Sequence, residues 1–143
     1  MKMEEHELTQ ILIHALNNSQ EGFSTFKKMF NDCANSFEVG EDAKGMQIIS
    51  SLIQPLQEFC NFCADIMSTH SYMIDEENLN LLKEQCNQLE SLMGELVKEM
   101  EDGNFVEVGD ILKYDMGDLT TQMSKSFPKV AECINNYEVS ENC

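Results

Sequence analysis

Apolar residues recur along the chain at steps of three and four, the spacing that gathers side chains on one face of an α-helix. The first such segment runs from about Glu4 to Phe37 through Leu8, Leu12, Ala15, Phe23, Phe26, Phe30, Cys33 and Phe37. From Phe23 onward the steps alternate strictly between three and four. Asn17-Asn18-Ser19-Gln20-Glu21-Gly22 interrupts the stripe with poor helix formers. Ser19 nevertheless falls where the next stripe position belongs. The phase therefore survives, and the pattern predicts one long helix, weakened at this point, over two helices.

Val39-Gly40-Glu41-Asp42 supplies the first break, with Gly40 placed to cap the preceding helix. A second segment spans roughly Asp42 to Tyr72, striped by Met46, Ile49, Leu52, Ile53, Leu56, Phe59, Cys60, Cys63, Ile66 and Met67. Pro55 lies inside it, so a kink is expected near Ser51, where the ring meets the previous turn. Asp75 reads as the N-cap of a third segment carrying Leu79, Leu82, Cys86, Leu89, Leu92, Met93, Leu96 and Met100. Glu101-Asp102-Gly103-Asn104 ends it, and Asn104 with Glu107 resembles a capping box. The fourth segment holds Phe105, Val108, Ile111, Leu112, Leu119, Met123, Phe127, Val130 and Ile134, with Pro128 placed to kink or split it.

No period-two alternation is sustained, so no sheet is expected. Four long amphipathic segments joined by short turns predict an all-α fold, an up-down-up-down four-helix bundle with long, kinked helices. Residues 1–143 form a single domain in this reading, with a polar tail over 135–143 that frays.

Composition changes the picture mainly through charge. Twenty-six acidic residues stand against nine basic ones, all lysine, for a net charge of −17. A basic face for nucleic acid cannot be built from so few cations, and an anionic membrane surface repels the chain. A basic or amphipathic protein partner remains compatible, beside the plainer reading that the charge serves solubility. The start, Met1-Lys2-Met3-Glu4-Glu5-His6-Glu7, lacks the apolar stretch of a signal peptide, and no run approaches the roughly 18 apolar residues of a membrane span. A cytoplasmic location is expected.

The search for chemistry yields little. Cys33, Cys60, Cys63, Cys86, Cys133 and Cys143 fall mostly on the apolar stripes and read as reduced core thiols. Cys60-x-x-Cys63 has the spacing of half a zinc site, but no second half accompanies it, and core packing explains both positions. Residues three before His6, His14 and His70 are Met3, Ile11 and Met67, so the Glu-x-x-His of di-iron bundles is missing. His14 and His70 could buttress each other, although isolated histidines are commoner. No Gly-x-Ser-x-Gly occurs, and Gly40-Glu-Asp-Ala-Lys-Gly45 carries two acids that repel phosphate. The ten methionines suit an adaptable binding groove, but their spread over all segments suits core filling better.

The stretch Gly103-Asn104-Phe105-Val106-Glu107-Val108-Gly109-Asp110-Ile111-Leu112-Lys113-Tyr114-Asp115-Met116 resembles a last-helix pattern in small uncharacterised helical proteins of low-GC Gram-positive bacteria. That resemblance implies a small helical bacterial protein and carries over no site residues. In size, acidity and helix content the chain is also similar to export chaperones. The reading that results is a non-enzymatic helical protein-binding module, adaptor or export-chaperone-like, that binds an amphipathic segment or self-associates. It names no catalytic, cofactor or metal residues. Its alternative is a metal- or small-ligand-binding helical bundle using Cys60, Cys63 and a histidine. Enzymatic activity comes third.

Overall fold

The computed structural model describes residues 2–141, with side chains described from Glu4 onward, and its regular elements are all helical. Helix α1 spans Lys2–Asn17, α2 Ser19–Glu38, α3 Asp42–Thr69 and α4 Glu76–Glu101, with a 3-10 turn at Ser71–Met73 between α3 and α4. The last helix, α5, is continuous through an α stretch Phe105–Asp110, a π stretch Ile111–Met116 and an α stretch Gly117–Glu141. Five helices stand where four were expected, because the first segment is two helices and not one. Asn18 divides them, with φ −101° and ψ 12°. Its side-chain amide donates to the His14 carbonyl at 2.8 Å, and the Ser19 hydroxyl donates to the Leu16 carbonyl at 2.7 Å. Such side chains compete with the helix for its own backbone groups. The surviving phase of the stripe concealed the break.

The predicted terminators at Gly40 and Gly103 act through the left-handed conformation, with φ of 82° and 72°. Each lets the next residue's N–H reach back to the helix, Glu41 to the Ser36 carbonyl at 2.8 Å and Asn104 to the Glu99 carbonyl at 2.9 Å. Asp75 caps α4 as expected, accepting from the Asn78 N–H at 2.8 Å. The capping box at Asn104 does not form; its amide donates instead to Glu99 Oε2 at 2.7 Å.

Both prolines lie within continuous helices. Proline 128 has no N–H for the Ser124 carbonyl one turn back. The Gln20 side-chain amide of α2 donates to that carbonyl at 2.6 Å, so the proline's defect becomes an interhelical bond. The described helix runs through the polar stretch 135–141, and residues 142–143 of the expected tail lie outside the described residues.

At the centre of the core, Phe23 meets Phe59 edge-on at 5.5 Å and Phe127 at 5.1 Å. Phe127 is fully buried, as are Leu16, Ile49, Leu52, Leu56, Leu96 and Leu112. Polar side chains are also buried, among them Ser126, whose hydroxyl donates to Gln85 at 2.7 Å. Helix α2 packs on α3 and α5, α4 packs on α3 and α5, and α1 lies chiefly along the Gly117–Glu141 stretch of α5.

Candidate functional site

Turning at Asn18 sends α1 along α5 and leaves it standing away from α3. Four residues, Thr9, Leu12, Ile13 and Leu16, form the buried face of α1. Leu8, Ile11 and Ala15 form a second apolar stripe, rotated out of the core. Leu8 is 57% exposed and Ile11 65% exposed, although periodicity assigns Leu8 and Ala15 to the core. The stripe faces Phe62 and Ile66 of α3 across a hollow of about 650 Å³. Ile11 and Ile13 stand about 200° apart around the helix, so α1 is apolar on more than one face, but the pattern does not say which face is buried.

One polar bridge spans the groove. Thr69 donates its hydroxyl to the Asp65 carbonyl at 2.6 Å, so its oxygen accepts from His70 Nδ1 at 2.6 Å. His70 Nε2 is then the acceptor for the buried Thr9 hydroxyl, at 3.1 Å. A neutral imidazole with its proton on Nδ1 fits both bonds. Burial holds the His70 pKa below the ordinary value, opposed by the nearby Glu138 carboxylate. His70 thus ties α1 to the end of α3. His14, by contrast, is exposed and bonded to Asn18, so the two histidines do not buttress each other.

The charged residues lining the groove are Glu5 and Asp65. Beyond Thr9 and Tyr72 it continues into a second hollow of about 550 Å³, bounded by Glu5, His6, Tyr137, Glu138 and Glu141. His6 Nδ1 lies 3.5 Å from Glu138 Oε2. No lysine among the described residues lines either hollow. The groove is therefore mainly apolar, with Asp65 in its α3 wall and further carboxylates gathered at the Glu5 end.

The cysteines lie elsewhere. Cys33, Cys63 and Cys86 are buried, Cys60 and Cys133 half-buried, and all five are free thiols; Cys143 lies outside the described residues. The Cys33 thiol donates to the Gly45 carbonyl at 3.3 Å, and burial pushes its pKa up to about 11. Cys63 is pushed up further, by its hydrogen bond to Cys86 and by burial. Cys60 faces the Met93 sulfur at 3.4 Å. The raised pKa values keep Cys33, Cys60 and Cys63 protonated at neutral pH, whereas the hydrogen bond from Cys63 lowers that of Cys86 against the effect of burial. No histidine joins Cys60 and Cys63, and among the described residues no group of three or more His, Cys, Asp or Glu is arranged to hold a metal ion. The methionines fill space: Met116 and Met123 are buried, while Met29, Met46, Met67, Met93 and Met100 pack against the core. No described helix is long and apolar enough to cross a membrane.

A family model for a domain of unknown function (DUF8042) matches residues 14–126. No curated protein and no solved structure matches the chain. The matched stretch contains the α3 wall of the groove, while the Glu5–Leu12 wall and the Tyr137–Glu141 end lie outside it.

Proposed function

We propose that this chain, which belongs to the family of the DUF8042 domain, is a non-enzymatic protein-binding module whose α1–α3 groove receives an amphipathic helix of a partner protein, cationic on its polar side. The observation that carries this reading is the solvent-open stripe Leu8, Ile11 and Ala15 facing Phe62 and Ile66 over about 650 Å³. A contiguous apolar recess left open on a soluble surface marks an interaction site. A hollow walled by two helices can receive a third, laid in with anchors at three- and four-residue steps.

Charge selects the partner. Among the described residues, the charged side chains lining the groove are carboxylates, on a chain of net charge −17. A second copy would bring the same charge and the same carboxylates to the contact. A lysine- or arginine-bearing helix would meet a complementary field and gain in association rate. An up-down-up-down arrangement of four segments, with α1 and α2 counted as one, belongs to the same proposal, supported by the short connections between helices. So do a cytoplasmic setting, an adaptor- or export-chaperone-like role in a low-GC Gram-positive bacterium, and the exclusion of nucleic acid and membrane as partners.

The test uses an amidated peptide of about 18 residues with leucines at helical spacing and lysines opposite. Backbone amide shifts on titration should cluster in α1 and α3. Leu8→Glu and Ile11→Glu are expected to weaken binding by more than about tenfold each, the scale of removing one buried aliphatic anchor. Both side chains are exposed, so the fold should be unaffected. Shifts confined to other helices, or affinity indifferent to both substitutions, would sink the proposal. Light scattering that finds a dimer dissolved by the same substitutions would assign the groove to a second copy instead.

A further inference from the structure

We propose that the acidic end of the groove is a cage for one lysine or arginine side chain of the docked helix, held over the Tyr72–Tyr137 pair. This rests on the groove being a helix-binding site and adds to it a named position in the partner. Tyr72, in the 3-10 turn after α3, and Tyr137, near the end of α5, meet edge to face with centroids 5.4 Å apart and planes at 84°. Tyrosine pairs of this kind usually close a core, but here Tyr72 is 64% exposed at the mouth of both hollows. A perpendicular pair leaves one ring face open, and an aromatic face attracts a cation within about 6 Å of its centroid.

Carboxylates share the hollows of that open face. Glu5 of α1 lines both, Glu141 lines the second, and both are exposed. Glu138 is turned toward His6, so it contributes field more than contact. The Tyr72 phenol reports the same field: its pKa is raised by partial desolvation first, then by Tyr137, Glu5, Glu138 and Glu141. Aromatic faces that share hollows with acids and open onto an apolar channel match a cationic head on an apolar stem. Lysine and arginine have that form, with a methylene chain that lies along apolar surface while the charge reaches the polar end.

The register follows from helix geometry. Glu5 and Ala15 mark the two ends of the α1 wall, about 15 Å apart at 1.5 Å per residue. A docked helix with its apolar anchors over Leu8, Ile11 and Ala15 therefore carries the cage-filling residue about one turn beyond its last anchor. If that residue lies in the helix's first turn, the positive helix terminus adds to the attraction.

The experiment compares two peptides identical except at one position, arginine or glutamine in the first turn before the leucine anchors. They are titrated into the full chain and into its Tyr72→Leu and Glu141→Gln variants. Both substituted side chains are exposed, which protects the fold. The arginine peptide should bind the parent about tenfold more tightly than the glutamine peptide, the combined scale of a cation–π contact and an exposed ion pair. The advantage should shrink to less than about threefold in each variant and fall when salt is raised from 50 to 500 mM. Equal binding of the two peptides by the parent overturns the cage while leaving the groove standing. So does an arginine advantage that survives both variants. Failure of both peptides to bind overturns the cage and the groove together.

Discussion

Gly45 is the residue on which the α2–α3 corner closes. A methyl group placed on it would lie 2.6 Å from the Phe37 ring. That ring cannot move aside freely, because it stacks on Phe105 at 4.9 Å with planes 4° apart. Gly45→Ala is therefore expected to lower stability by about 1–3 kcal/mol, as overpacking does elsewhere, despite alanine's better helix propensity. Chemical denaturation measures it; a stabilised variant would contradict the packing described here. Nothing in the sequence distinguishes this glycine from Gly22 or Gly94, where a side chain would meet nothing. The difference arises from an aromatic partner eight residues earlier and another sixty residues later, a relation no local pattern encodes. The core cysteines are the opposite case. Cys33, Cys63 and Cys86 stand on the apolar stripe, and the stripe alone was enough to place them in the interior.

Helices were legible wherever apolar spacing and a cap agreed, as at Asp75, Gly40 and Gly103, because both signals are local. The division at Asn18 was not. Stripe phase reports which face is buried, not whether the backbone bonds run through, and the two came apart at Asn17-Asn18-Ser19. That one error hid the groove, since a straight first helix would have no reason to stand off α3. The tie that fixes the resulting angle is the Thr9–His70–Thr69 chain, and it responds to pH. Burial lowers the folded-state pKa of His70 below the ordinary 6.5. A histidine lowered on folding binds fewer protons folded than unfolded, so its contribution is present above pH 6.5 and lost as pH falls through the folded value. Glu138 opposes the shift without removing it, and Glu5 and Asp65 line the same groove. Amide protection factors in α1, referenced to α4, should drop between pH 7.5 and pH 5, and the drop should be absent in His70→Gln. Equal protection across that range in the parent would show that the tie does not hold α1.

At the scale of the molecule, five helices enclose one continuous core, and among the described residues the charged side chains lining the open groove are acidic. All-helical architecture was readable from periodicity alone. The groove was not, because an apolar residue turned to solvent and one turned to the core look identical in a sequence. Only the packing of α1 on α5 separates Leu8 from Leu12. The π stretch Ile111–Met116 escaped notice for a related reason: it buries Ile111, Leu112 and Met116 at spacings an ordinary helix also allows. Its presence has a consequence for chain length. A π turn holds one more residue than the α turn it replaces. Removing one residue there converts the wide turn to a normal one and leaves the flanking helix axes, and every core residue beyond them, where they were. Deletion of exposed Asp115 should accordingly move the melting temperature by less than about 5 °C. Deletion of exposed Gln122, within the regular helix, rotates Met123, Phe127 and Val130 out of the core by about 100° and should abolish cooperative melting. Equal damage from both deletions would refute the comparison. Variants that lose a single residue are thus expected to survive in this turn and to be lost along the rest of α5.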